Sequence, residues 1–411
     1  MRQNSHSRLI IRLGALALAA SLWGCALPGA DQQQAAAPPP TPIPFDEAVL
    51  KAANDLFSRA PLPDASAGKA AKHVLVIDPL IDGLSGEQSL ATRSIEARLV
   101  ELVQSQYPQF TVEPFSAQTV AKSPIVLIGT FTGVNQEGKT EGVREAYRIC
   151  LALADLKSGK IVAKGVARAK PEGVNITPTP YFADSPAWAI DQTTEGYIKS
   201  CQGTKPGDPI NPAYADRILT AALVSEAIDA YNDRQYRKAL ELYQGALRSP
   251  EGQQLRVYNG LYLTSWKLGQ RANATEAFGK IVDYGLANRR LAVKFLFKPG
   301  STDFLADQDI SGQYPIWLKQ IAGRTVQNQG CLEVVGHTSR TGPEPINERL
   351  SLLRAESVKT KLERNAAGLR GRTIANGLGS KENLVGTGTD DVKDALDRRV
   401  VFKVIQCPAP S

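Results

Sequence analysis

The sequence predicts an α+β multidomain chain: an N-terminal α/β mixed-sheet domain, a helical section, and a C-terminal domain ordered βαβαββ. Three observations carry this. Short β-branched runs alternate with amphipathic stretches over residues 45–202. Residues 211–286 read as helical throughout and repeat at an interval of 35, which aligns Ala239, Tyr243 and Ala246 with Ala274, Phe278 and Ile281. Residues 291–407 return to strand–helix alternation and close on RRVVFKVI, which alternates with period two. A chain of 411 residues has room for two or three such units, and 43% hydrophobic with 22% charged residues is ordinary globular composition.

The N-terminus departs from that composition. Arg2, Arg8 and Arg12 precede an apolar run from Leu13 to Leu22, which ends in Trp23-Gly24-Cys25. The pattern resembles a bacterial lipoprotein signal over residues 1–24, with cleavage before Cys25 and acylation (palmitate among the chains) of its sulfur. Acyl chains on Cys25 imply a partner in membrane lipid, and Ala26 after Cys25 resembles sorting to the outer membrane, facing the periplasm. Loss of the three arginines lowers the net charge from +7 to +4, too mild to argue for nucleic acid. Residues 25–44 contain QQQAAAPPPTPIP and read as a lipidated, disordered tether; in extended polyproline form it reaches roughly 55 Å.

Within 45–202, Phe45 to Ala60 has a helical stripe, His73 to Asp78 a strand, Gln88 to Tyr107 an amphipathic helix, and Phe110 to Phe115 and Pro124 to Phe131 further strands. Tyr147 to Leu156 and Lys160 to Ala167 form a hairpin turned by Lys157-Ser158-Gly159, and a last helix is expected over Ala187 to Cys201. VLVIDPL and ADLKSGKIVAKG, with Asp155, Ser158, Gly159, Ile161 and Val162, resemble the small α/β domains of TolB-N-terminal and curli-secretion-type lipoproteins. In residues 211–286 the small Ala239 and Ala274, the aromatics Tyr243 and Phe278, and the closing Pro250 resemble two tetratricopeptide repeats. That resemblance implies a surface for an unidentified periplasmic protein.

In the C-terminal part, a strand from Leu332 runs into Gly336-His337-Thr338, a turn carries Thr341-Gly342 and two prolines, and a helix is expected from Asn347 as N-cap. On that helix Asn347, Leu350, Ser351 and Arg354 share one face, which looks back at the strand tip and makes a polar pocket with one guanidinium. Gly336-His337-Thr338, Thr341-Gly342, Asn347 and Leu350-Ser351-x-x-Arg354-Ala355 resemble the OmpA C-terminal-like family of peptidoglycan-binding domains. The resemblance implies a grip on the diaminopimelate of the stem peptide by Ser339, Thr341, Asn347 and Arg354, with Arg354 taking the carboxylate. The family carries Asp where this chain has Ser339, fifteen residues before Arg354, so the partner for the ligand's ammonium is missing.

With Cys25 acylated, four cysteines remain, and an oxidising compartment permits two bridges. Cys331 opens one predicted strand and Cys407 ends the last; if these strands are antiparallel neighbours their sulfurs meet, which leaves Cys150 and Cys201 as a second pair. Buried free thiols are the alternative reading. Gly133 to Thr140 matches GxxxxGK[ST], but Gly142 interrupts the helix such a loop must open, so the stretch reads as a hairpin loop. His6, His73 and His337 are not spaced as metal ligands and no GxSxG is present, so no enzyme and no cofactor is expected. Two functions follow: an outer-membrane lipoprotein that tethers membrane to peptidoglycan, or a regulatory or assembly component of an envelope machine (secretion, flagellar or wall synthesis) whose C-terminal domain makes protein contacts or localises it.

Overall fold

The computed structural model describes residues 39–60, 72–188, 190–291, 293–385, 388 and 393–407. The signal segment, Cys25 and most of the tether lie outside the described residues. Among the described residues no helix is long and apolar enough to cross a membrane.

The N-terminal domain begins with α1 (Phe45–Ser58), β1 (His73–Ile77), β2 (Ile81–Asp82), α2 (Leu90–Gln106), β3 (Phe110–Glu113) and α3 (Ala117–Val120). It continues through β4 (Ile125–Val134), β5 (Ala146–Asp155) and β6 (Lys160–Ala169) to α4 (Pro180–Asp184) and α5 (Gln192–Gln202). The sheet order is β3-β1-β4-β5-β6, with β2 on β4; β1 runs parallel to β3 and β4, and β4, β5 and β6 form an antiparallel meander. Every residue of β4 is buried, as a strand covered on both faces must be. One face packs on α1 and α2 through Ala52, Leu56, Ile95 and Leu99; the other takes Tyr197, Cys201 and Tyr214. Helix α2 starts sharply because Ser89 and Thr92 satisfy each other's backbone N–H groups in a capping box. Residues 135–145 turn β4 into β5, and no helix begins at Lys139. The helix expected from Ala187 begins only at Gln192, where the Asp191 carboxylate accepts the Thr194 N–H as N-cap.

Next come α6 (Pro212–Ala215), α7 (Ile218–Asn232), α8 (Tyr236–Arg248), α9 (Leu255–Lys267) and α10 (Arg271–Ala287). The aligned sequence positions Ala239, Tyr243 and Ala246 on α8, and Ala274, Phe278 and Ile281 on α10, are all buried. Gly260 on α9 faces the Tyr243 ring so closely that a Cβ there would sit 2.2 Å from ring carbons. Phe278 stacks on Trp317 with centroids 5.5 Å apart, and Trp317 Nε1 donates to the Tyr262 hydroxyl at 2.6 Å. Through these aromatics the helical section and the C-terminal domain share one apolar core running from Tyr181 to Phe402.

The C-terminal domain comprises β7 (Phe295–Leu296), α11 (Gln308–Ser311), α12 (Tyr314–Gln327), β8 (Cys331–Gly336), α13 (Glu344–Asn365), β9 (Thr373–Gly377) and β10 (Arg399–Ile405). Its sheet order is β7-β10-β8-β9; β10 is antiparallel to β7 and β8, and β9 is parallel to β8. Ile405 pairs with Cys331, and the expected Cys331–Cys407 disulfide is formed across that end.

The expected Cys150–Cys201 bridge is a correction: both are buried free thiols. Their sulfurs lie 2.7 Å apart, and each thiol donates to the other residue's carbonyl, at 2.8 and 3.0 Å. These hydrogen bonds to backbone occupy the thiols, and burial pushes the Cys201 thiol up, away from the thiolate that disulfide exchange requires. Cys25 aside, the unreduced, denatured chain should yield two titratable thiols, and prior treatment of the folded chain with diamide should leave both, since both are buried. Loss of both thiols to diamide in the folded chain would contradict their placement as buried, hydrogen-bonded thiols.

At the end of β1 a buried polar joint fastens helices to sheet. The Tyr214 hydroxyl donates to the Asp78 carboxylate at 2.6 Å, the Tyr197 hydroxyl accepts the Gly129 N–H at 2.8 Å, and Glu96 accepts the Leu80 N–H at 2.7 Å. Burial raises Asp78 and Glu96 to about 7, against opposing hydrogen bonds and arginines. The folded chain therefore keeps protons that the unfolded chain releases near pH 4. Between about pH 4 and pH 7 the unfolded state binds fewer protons, so stability from these groups falls as pH rises. Asp78→Asn should gain on the parent in melting temperature as pH rises from 5 to 8. A difference independent of pH would contradict the assignment.

Candidate functional site: the strand tip under Arg354

The site is built where β8 ends. A Cβ at Gly336 would come within 1.9 Å of the Ser351 carbonyl oxygen, so glycine lets α13 lie directly on the strand. That approach puts Ser351 and Arg354 beneath the residues that leave the strand. The Ser351 Oγ accepts the Gly379 N–H at 2.9 Å, and the Thr338 N–H donates to the Gly379 carbonyl at 2.9 Å. The loop after β9 is thereby closed onto the tip of β8. Glu344 holds the same loop from the helix start, accepting the Ser380 N–H at 3.0 Å and its hydroxyl.

Arg354 is wholly buried. Its Nε donates to the Ser301 carbonyl at 2.9 Å, Nη1 to the His337 carbonyl at 3.1 Å, and Nη2 to the Lys298 carbonyl at 2.8 Å. The guanidinium carbon stands 5.3 Å from the Phe297 ring centroid. The expected pocket-lining cation is thus turned inward, where it joins the strand tip to the loop after β7. Burial in a ring of backbone oxygens explains the orientation: carbonyl dipoles offset the loss of water around the charge.

The structure brings most of the other expected residues to this end of the sheet. Ser339 and Asn347 are buried, and Asn347 Nδ2 lies 3.4 Å from the Gly342 carbonyl. Thr341 is exposed and its hydroxyl only reaches the Gly388 carbonyl, at 3.5 Å. Asn347 is not the N-cap: α13 starts at Glu344, after Pro343, because Pro345 presets the first-turn backbone and Glu344 suits the positive helix end. His337 is buried, and burial together with Arg399 and Lys403 pushes its imidazole down to about 2, so it is neutral.

Sequence reasoning missed the carbonyls of Lys298 and Ser301, the Glu344–Ser380 contact, and Asn383, whose Nδ2 donates to the Thr338 carbonyl at 2.8 Å. None of these has a local signal, since each partner is 36 or more residues away.

Residues 296–396 match the OmpA family, and the C-terminal domain is OmpA-like. Solved structures similar to part of the chain include the peptidoglycan-associated lipoprotein from Burkholderia pseudomallei, at 23% identity over 27% of this chain and 89% of that one, TM-score 0.23. The cell wall anchor of the T6SS from Pseudomonas aeruginosa matches at 23% identity over 31% of this chain and 95% of that one, TM-score 0.23. The periplasmic domain of Helicobacter pylori MotB matches at 16% identity over 27% and 70%, TM-score 0.21. A search for curated relatives finds no match.

Removing the Arg354 charge would take the donor from the buried His337 carbonyl and the part-buried Ser301 carbonyl, and would leave the Lys298 carbonyl only the Ser301 N–H at 3.4 Å. Arg354→Met should cost about 3–5 kcal/mol and lower the melting temperature of the chain by several degrees. A change below about 1 kcal/mol would show that the guanidinium does not hold the tip together.

Proposed function

We propose that this chain tethers the bacterial envelope non-covalently, with its OmpA-like domain bound to peptidoglycan. The match of residues 296–396 to the OmpA family carries the reading. The ligand is a diaminopimelate-bearing stem peptide, held at the β8 tip by Thr341, Ser339 and Asn347, with Arg354 supplying positive potential from below. Acylated Cys25 is the outer-membrane anchor. The Cys331–Cys407 bridge supports an oxidising, periplasmic location. The helical section is a tetratricopeptide-like surface for a periplasmic protein. No catalytic role and no cofactor enters this reading.

The second reading, a regulatory or assembly part of an envelope machine, is favoured by one observation. The helical section and the OmpA-like domain share a single apolar core, so they present one body to a partner.

Sedimentation of the full chain with purified sacculi separates the two. The chain should pellet with the wall, and Ser339→Asp should tighten binding by one to two decades, because a charge-assisted hydrogen bond to an ammonium is worth about 1.5–3 kcal/mol. A parent chain that stays in the supernatant rules out the tether and leaves the machine component.

A further inference from the structure

The OmpA-like sheet has a second face, turned away from α12 and α13. Along β10 the side chains alternate: Val400 and Phe402 belong to the core, which sends Arg399, Val401 and Lys403 to the opposite side. There the sheet meets segments of the other two sections. Leu84 and Ser85 come from the loop after β2, Trp188 and Ile190 from the stretch before α5, and Arg289 to Leu291 from the stretch after α10. Together with Leu384 they enclose a cleft of about 800 Å³, counting its open mouth. Its described lining carries four cations, Arg289, Arg290, Arg399 and Lys403, and no carboxylate. One of the four, Arg290, is ion-paired outward to Glu195.

Arg399 is the residue the fold does not account for. It is only 5% exposed. Its Nη2 donates to the Glu382 carbonyl at 3.1 Å, while Nε and Nη1 have no hydrogen-bond partner among the described residues. A buried guanidinium with unmet N–H groups is costly, because water has been lost and nothing replaces it. Burial holds its pKa down, to about 10, although Asp397 and Glu382 oppose this. Arg354, forty-five positions earlier, has a backbone carbonyl at each of its three nitrogens. The Trp188 ring stands beside the Arg399 guanidinium, 5.9 Å from its carbon, and is held on its other contact by the Lys294 ammonium at 4.1 Å. Lys294 is fixed in turn by a buried ion pair to Glu87 at 2.9 Å. An indole fixed by a cation beside an arginine with free donors is a platform for a flat apolar group with an oxyanion attached.

We propose that this cleft is a binding site for a small organic anion, with a carboxylate or phosphate on Arg399 and an apolar body against Trp188. The cleft lies on the opposite face of the sheet from α13 and Arg354, beside the strand tip whose His337 N–H donates to the Arg399 carbonyl at 2.8 Å, and does not depend on the peptidoglycan reading. Lys403, exposed at the edge of the lining, adds attraction without closing the site.

Calorimetric titration of the full chain with 2-naphthoate, 2-naphthyl phosphate, 2-naphthol and inorganic phosphate tests this. One naphthyl anion should bind per chain, at least tenfold tighter than naphthol or inorganic phosphate, and the tighter of the two anions names the oxyanion class. Arg399→Gln should weaken that binding tenfold or more without lowering the melting temperature, since two of the three nitrogens it removes make no hydrogen bond and a glutamine amide keeps a donor for the Glu382 carbonyl. Lys403→Gln, at an exposed position, should weaken it several-fold with an unchanged melt. No binding of either naphthyl anion to the parent, or binding unchanged in both variants, overturns the proposal.

Discussion

The OmpA-like domain depends on one buried cation. Arg354 is placed by the close approach of Gly336 to the Ser351 carbonyl, and spends its three nitrogens on carbonyls from the strand tip and the loop after β7. Without the glycine, α13 would be pushed off β8. Without the arginine, the buried His337 carbonyl and the part-buried Ser301 carbonyl would lose their donor. The geometry of Ser339, Thr341 and Asn347 follows from that arrangement, since all three sit on chain leaving the tip or on the helix lying over it. Arg354 therefore acts on any ligand at this end through position and through field, in a region where low dielectric preserves its charge effect.

The same economy joins the three sections. The helical section contributes Tyr262 and Phe278 to a core completed by Trp317 of the C-terminal domain. The N-terminal domain is fastened by Tyr214 on Asp78 and by Lys294 on Glu87, two polar contacts taken out of water. Such contacts add little net stability but penalise every wrong arrangement, because a broken pair leaves a buried charge. Their cost appears in the raised pKa of Asp78, Glu87 and Glu96.

Much of this was legible in the sequence where the pattern is local. The α1 stripe, the β5–β6 hairpin, the largely apolar β4 and the closing strand β10 all stand close to their expected places. The words around Gly336 and Arg354 located the C-terminal domain, which the family match over residues 296–396 supports. What escaped was set by partners distant in sequence. Arg354 reads as a ligand-facing cation until Lys298 and Ser301 are seen to surround it. Asn347 reads as an N-cap because its residue type suits one, yet Glu344 and Pro345 had already opened the helix. Period two marked RRVVFKVI as a strand, and the folded chain puts Arg399 on its outer face. That this face is covered by Trp188 and Leu384, leaving two guanidinium nitrogens stranded, required the folded chain.

The central claim is that the β8 tip above Arg354 is where the wall's stem peptide docks. Amide and arginine Nε–H NMR spectra of the chain, titrated with a diaminopimelate-containing stem peptide, address it directly. Shifts confined to residues 338–347 and to the Arg354 Nε–H are the predicted result. An unperturbed spectrum, or shifts gathered around Arg399 and Trp188 instead, would contradict it.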